Sequence, residues 1–291
     1  MTQVLSNMLY SACTICLVGI SFSFIFSAAK FFHFAHAGLI ASGAYAYLVF
    51  SQWCSLPVYV SVPLALAASA GLGLSLDLAI YRPMRNCGAS PLILLLASLG
   101  LYILLQNGIS MVFGDDTKVI SNSDVTPAFL IFGARVTGVQ LTVMAVAIAV
   151  LFIKVFFLDR TKNGLALRAV ADSPELARLS GINFDKTMGI AFCLGSFLAS
   201  TIGLLQAFDV GMTPTMGLPT LLLGVVAVVI GGDGKILGVA VASLFLAFVQ
   251  HVAGWQFGAQ WQETTAFLLL LAFLLCRPQG VFGKRLAKTS V

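Results

Sequence analysis

DRTKNGLALRAVADSPELARLSGINFDK, residues 159–186, is the stretch on which the reading of this chain turns. It concentrates nine of the charged residues (Asp159, Arg160, Lys162, Arg168, Asp172, Glu175, Arg178, Asp185 and Lys186), while apolar runs long enough to cross a bilayer lie on both sides. A membrane protein with little soluble mass and one structured polar loop offers that loop to a partner. The partner then supplies work or a signal that the chain does not generate.

Composition supports the membrane reading. Of 291 residues, 59% are hydrophobic and only 9% charged, with a mean hydropathy of +0.99. Soluble domains carry roughly a quarter charged residues, so residues 1–291 read as a single membrane-embedded domain. The net charge of +5 is scattered over short loops, which fits topology rather than nucleic-acid binding. No Lys or Arg precedes Lys30, so there is no basic region of the kind that opens a signal peptide. The six cysteines read as small apolar packers and not as a disulfide framework, Cys13 and Cys16 included despite their CxxC spacing.

A helix crosses a bilayer with about 20 mainly apolar residues. Nine candidate segments result: 4–29, 31–52, 56–81, 90–113, 139–158, 187–208, 213–230, 234–253 and 262–276. The expected fold is an all-α polytopic membrane bundle of about eight to nine transmembrane segments with interrupted helices. Placing 159–186 in the cytoplasm puts the N-terminus outside and the C-terminus inside. It leaves only Lys118 and Arg135, of 16 basic residues, on the outer side, in accord with the positive-inside rule. Lys154, Lys235, Arg277, Lys284, Arg285 and Lys288 are then among the inner residues. The 114–138 connection is the largest external loop, acidic at Asp115, Asp116 and Asp124, with turn formers at Gly114 and Thr126-Pro127. It meets a soluble external protein or is simply solvated.

Within the island, Ser173–Gly181 carries a full set of short-helix signals. Ser173 can cap, Pro174 suits the first helical position, Glu175 favours the positive end, and Gly181 can terminate in the left-handed region. Leu176 and Leu179 share a face, with Ala177 and Arg178 between them. A two-turn helix is marginal alone, so it docks on a cytoplasmic partner or lies on the membrane surface.

Two spans open on interruptions: Phe31-Phe32-His33-Phe34-Ala35-His36-Ala37-Gly38 with Gly43, and Thr213-Pro214-Thr215-Met216-Gly217-Leu218-Pro219. Short, broken segments in corresponding positions of two halves point to a central pathway, whereas glycines also permit close helix packing. His33, His36, Gly38, Gly43, Thr213, Pro214, Met216 and Gly217 are therefore the candidate pathway positions. His33 and His36 read as sharing one helical face. A metal would need further ligands, and the third histidine, His251, belongs near the opposite side; hydrogen bonding or lining the inner mouth is the better reading. Asp77 is placed to pair with Arg82 or Arg85.

No GxxxxGK[ST], HExxH or GxSxG motif occurs. Gly231-Gly232-Asp233-Gly234-Lys235 is too short for a phosphate-binding loop. The chain thus shows no means of hydrolysing ATP, no enzymatic constellation and no cofactor site.

Taken together, the order of several motifs resembles the permeases of branched-chain amino-acid ABC importers, specifically the shorter H-type subunit. These are His33–Gly38 with Gly43-Ala44-Tyr45; Tyr81-Arg82-Pro83-Met84-Arg85; Ser98-Leu99-Gly100 with Gln106-Asn107; Gly164 with Arg168-Ala169; Ala177 to Gly181-Ile182; Pro214 with Met216-Gly217; Gly231-Gly232 with Gly238; and Arg277-Pro278-Gln279-Gly280-Val281-Phe282-Gly283. The resemblance implies a prokaryotic inner-membrane permease paired with a second, homologous permease. Two cytoplasmic ATP-binding subunits and an external solute-binding protein complete such an importer, and Pro174–Gly181 becomes its coupling helix. His33 departs from the family's common Asn, and Lys235 from a small residue. Leucine-type amino acids, other amino acids, amides and urea all remain open as substrates. A self-sufficient secondary transporter or channel is the competing class, and a membrane-embedded enzyme the third.

Overall fold

The computed structural model describes residues 2–120, 128–131, 133–232, 236–276 and 280–281. Asp124, Thr126-Pro127, Asp233-Gly234-Lys235, Arg277-Pro278-Gln279, Phe282-Gly283 and the basic residues Lys284, Arg285 and Lys288 lie outside the described residues.

Helices dominate, as they must where backbone groups have no water to bond. The first half comprises α1 (Thr2–Ala29), α2 (Ala35–Leu48) with a π-helical turn at Val49–Trp53, and α3 (Val58–Leu76). A second π turn, Asp77–Tyr81, joins α3 to α4 (Arg82–Asn86), and α5 (Pro91–Phe113) follows. After the polar region come α6 (Gly138–Arg160), α7 (Lys162–Asp172), α8 (Pro174–Leu179), α9 (Phe184–Val210), α10 (Gly217–Gly231), α11 (Ile236–Phe257) and α12 (Trp261–Cys276). Among the described residues six helices are long and apolar enough to cross a membrane: α1, the run Val58–Asn86, α5, α6, α9 and α11. At 15 and 16 residues, α10 and α12 are shorter.

Polar caps set several boundaries. Ser90 accepts from the Ile93 amide ahead of Pro91. Thr137 and Gln140 form a reciprocal capping box at the start of α6, and Asn183 accepts from Lys186 at the start of α9. Each satisfies amides that a helix start leaves without partners.

Short strands occur in the connections of this mostly helical bundle. β1 (Ala128–Ile131) and β2 (Ala134–Thr137) pair antiparallel through a turn at Gly133, and Lys118 forms an isolated bridge with Met212. Both lie in connections between the long helices, where short segments can pair as strands without burying an open edge in lipid. Alternation within β2, with Ala134 and Val136 buried and Arg135 exposed, is the ordinary two-residue period.

The packing has an internal exchange relation. α1 packs on α9, α10 and α11, while α9 packs on α1, α2 and α3. α2 packs on α3 and α5, and α10 on α11 and α12. Exchanging α1 with α9, α2 with α10, α3 with α11 and α5 with α12 maps these pairs onto each other. The prominent exception is α11 with α12. α1 and α9 run antiparallel, since the Tyr10 hydroxyl donates to Asp209 at 2.7 Å and the Ser21 hydroxyl to the Gly195 carbonyl at 2.9 Å. The two halves are therefore inverted relative to each other, with α1, α9 and α2 innermost and α5 and α6 mostly exposed.

The interior helices meet at backbone distance. A Cβ on Gly203 would strike the Ile40 carbonyl, whereas one on Gly71, on the outer face of α3, meets nothing within 4 Å. Gly203→Leu is expected to destabilise the purified chain by about 1–3 kcal/mol, the ordinary cost of overpacking, and Gly71→Leu to leave it unchanged. Thermal unfolding in detergent checks the contrast; equal melting temperatures would contradict it.

Candidate functional site

The two interrupted segments occupy exchange-related places, one before α2 and one before α10. At the first, Lys30 adopts a left-handed turn with φ +55°. The chain then runs back along α1, placing the Phe32 ring 5.5 Å from Phe22 and 5.4 Å from Phe26. Ser98 of α5 pins it: its hydroxyl accepts from the Phe34 amide and lies within donating distance of the Phe32 carbonyl, both at 3.1 Å. Only then does α2 begin.

His33 and His36 consequently do not share a helical face, because His33 sits in the extended segment and His36 inside α2. Both are fully buried. His33 packs against the rings of Tyr81 and Phe192, at 5.2 and 5.1 Å, with Nδ1 3.4 Å from the Tyr81 hydroxyl. His36 Nε2 is 2.9 Å from the Ser21 hydroxyl. Ser21 gives its single proton to Gly195, so His36 donates from Nε2. Among the described residues no group of three His, Cys, Asp or Glu could hold a metal. These imidazoles tie the extended segment and α2 to α1, α9 and the π turn after α3.

Gly38 and Gly43 are close-approach positions. A Cβ at Gly38 would lie 2.8 Å from Leu105 of α5, and one at Gly43 would collide with Ser200 of α9. Gly217, the first residue of α10, rests on the Ala37 carbonyl, so the starts of the two short helices meet inside the bundle. Approaching Gly217, Met212 exchanges backbone hydrogen bonds with Lys118, Pro214 is buried, Thr213 is half-buried and Met216 packs with Ala44, Tyr45 and Leu48. The structure thus brings His36, Gly38 and Gly217 together around the first turns of α2, with Gly43 a turn further on. Thr213 and Thr215 are the more accessible members.

Sequence reasoning missed the partners on the other side of each contact. Ser21, Ser200 and Phe192 sit in apolar helices without a local signal, while Ser98 and Tyr81 fell within motifs noted above. It also assigned Lys154 only a topological role. Lys154 is inside α6, 5% exposed, donates to the Ile20 carbonyl at 3.0 Å and to the Ser23 hydroxyl, and lies over the Phe24 ring. Asp77 chooses Arg85, at 2.7 Å, and Arg82 pairs instead with Asp185 at 3.1 Å. Of the cysteines, Cys16 is buried but Cys54, Cys87 and Cys276 are exposed, so packing does not account for those three.

The polar island folds as two helices, α7 and α8. Thr161 caps α7, and Gly164 lies against the Phe157 carbonyl, where any larger residue would collide. At α8, Ser173 accepts from the Leu176 amide, Pro174 opens the helix and Glu175 lies in its first turn. Gly181 has φ +79°, and the Ile182 amide reaches back to the Ala177 carbonyl at 3.0 Å, a left-handed C-terminal closure. Ala177 packs inward at 3% exposure, while Leu176 and Leu179 point outward at 64% and 84%. The leucines therefore face away from the bundle.

Residues 4–276 match the family described as branched-chain amino acid transport system / permease component. The chain is 29% identical to the high-affinity branched-chain amino acid transport system permease protein BraD of Pseudomonas aeruginosa, over 97% of this chain and 95% of that protein. It is 25% identical to the corresponding LivH of Escherichia coli, over 93% and 92%. Over about half of each chain it is 30% identical to the ribose import permease protein RbsC of E. coli. Among solved structures, PsaBC from Streptococcus pneumoniae in complex with Fab shares the fold, with a TM-score of 0.50 over 96% of this chain and 94% of that one at 14% identity.

In a chain stripped of its native cysteines, Leu179→Cys is expected to react with a polar maleimide at least about tenfold faster than Ala177→Cys, since exposure governs access. Equal labelling rates would contradict the orientation of α8.

Proposed function

This chain belongs to the family of branched-chain amino acid transport system permease components, and from that premise we propose that it is one transmembrane half of an ATP-driven importer. As a permease it is a transport subunit rather than an enzyme. Its pathway forms with a second, homologous permease. Two cytoplasmic ATP-binding subunits supply the energy, and an external solute-binding protein delivers the solute. The host membrane is the prokaryotic inner membrane, crossed by the six long helices together with α2, α10 and α12, with the N-terminus outside and 159–186 inside.

The observation that carries this reading is α8. It is a capped two-turn helix whose buried side holds Ala177 and whose outward side presents Leu176 and Leu179. An isolated helix of six residues has little intrinsic stability, and a bare leucine pair beside Glu175 and Arg178 suits insertion into a groove of another protein. Ser173 to Gly181 are the coupling positions on this reading, and ATP acts only in the partner subunits.

For substrate, we infer a branched-chain or related neutral amino acid. The full-length relatives carry that substrate in their names, and the interior around α2 supplies small, apolar and hydroxyl-bearing groups. The buried Asp77 of the π turn after α3 is neutralised by Arg85. An amide or urea fits the same chemistry and is separated by ligand binding to the external protein. The candidate pathway residues His33, His36, Gly38, Gly43, Thr213, Pro214, Met216 and Gly217 support the route by shaping the α2–α10 crossing. Thr213 alone of these combines a hydroxyl with partial access.

Replacing Leu176 and Leu179 by Asp would bury charge at the docking surface. The double variant is expected to weaken binding of the ATP-binding subunits by about tenfold or more, the equivalent of 1.4 kcal/mol, with membrane insertion unchanged. Copurification of those subunits with the tagged permease measures it; undiminished recovery would remove α8 from the interface.

A further inference from the structure

Between α8 and the buried extended segment before α2 runs an unbroken series of contacts, and we propose that it transmits the movement of α8 to that segment. The inference rests on α8 being the coupling helix. Arg178 of α8 lies over the ring of Phe184, the first residue of α9, with Cζ 4.4 Å from the ring centroid. Arg85 of α4 approaches the same ring at 5.9 Å. Phe184 is therefore shared by one exposed guanidinium and one largely buried one. Arg85 Nη1 holds Asp77 Oδ1 at 2.7 Å, and the Asp77 side chain is fully buried.

Asp77 opens the π turn whose last residue is Tyr81. Tyr81 stacks on Phe192 at 5.3 Å and reaches His33 through its hydroxyl. The series thus ends on the segment that precedes α2. Cation–π pairs are attractive without demanding one fixed angle, which lets Arg178 and Arg85 stay engaged while α8 shifts. Turns with π geometry recur at functional positions, and this one joins the Asp77 side of the ion pair to Tyr81.

The ion pair itself has room to re-pair. Asp77 Oδ2 and Arg85 Nε and Nη2 are buried without a protein partner among the described residues. A shift by one hydrogen-bonding position would exchange one charged contact for another, whereas losing the pair outright would leave a costly buried charge. That combination favours two discrete arrangements over continuous slackening. The Arg82–Asp185 pair, also between α4 and the start of α9, holds the two elements in register so that tilting α9's first turn acts on α4.

The test uses the permease assembled with its second permease and ATP-binding subunits in lipid nanodiscs. One reporter thiol at Phe34→Cys replaces the six native cysteines, and its labelling rate by a small maleimide is compared with and without ATP. No transported solute is needed. Wild type at position 184 is expected to show an ATP-dependent change in rate. Phe184→Leu, which keeps the apolar body but loses the aromatic face, should shrink that change about fivefold, the lower end of ordinary coupling factors. Phe184→Tyr should preserve it. Adding Arg178→Gln to Phe184→Leu should cause no further loss, because the two act in series.

An undiminished change in Phe184→Leu overturns the proposal, as do equal losses in the Leu and Tyr variants, or no ATP-dependent change in wild type while the ATP-binding subunits stay bound and hydrolyse ATP. Failure of those subunits to bind the wild-type permease would instead overturn the importer reading itself.

Discussion

The rest of the structure depends on the close approach of α2 to its neighbours at the centre of the bundle. Lipid tails are as apolar as the side chains, so helices in a bilayer associate through tight packing and interhelical hydrogen bonds rather than by escaping water. α2 is short, begins inside the protein and is enclosed by α5, α9 and α10. Glycines remove the side chains that would hold it off: Gly43 against Ser200, Gly203 against Ile40, and Gly217 against Ala37. Without those contacts neither short helix has a fixed start, and the inverted pairing of the two halves loses its crossing point.

That constraint explains why polar groups are tolerated so deep. A broken backbone inside a membrane survives only where protein satisfies it. Ser98 accepts from the Phe34 amide next to His33, and His36 joins Ser21 and Gly195 in one short hydrogen-bonded chain. Lys154 likewise has its charge met by a carbonyl, a hydroxyl and an aromatic face. The interior is therefore a firmly fixed crossing, suited to move as a unit when pushed from its polar end. On the proposed reading α8, with its leucines turned outward, receives such a push.

How much of this the sequence disclosed follows from the range over which each signal acts. α8 was legible to the residue because its determinants are local: Ser173, Pro174 and Gly181 fix start and stop within nine positions. The long helices were legible from length and apolarity alone. The start of α2 was not, since Phe31-Phe32-His33-Phe34 is apolar enough to pass for helix, and its side-chain hydrogen-bond partner, Ser98, is more than sixty residues away. The same distance effect placed His33 and His36 on one face when only His36 is helical. The hairpin at 128–137 was read as loop because four-residue strands carry too little periodicity to declare themselves. Asp77 offered two arginines, and tertiary contact with Asp185 decided which one it kept.

The central claim is that this permease is a gate moved by a separate motor. Reconstituted alone in sealed vesicles with an imposed proton or sodium gradient, it should bring radiolabelled leucine to no more than its equilibrium level. The same vesicles carrying the second permease, the ATP-binding subunits, internal ATP and the external binding protein should accumulate it. Accumulation by the solitary chain, driven by the ion gradient, would contradict the account.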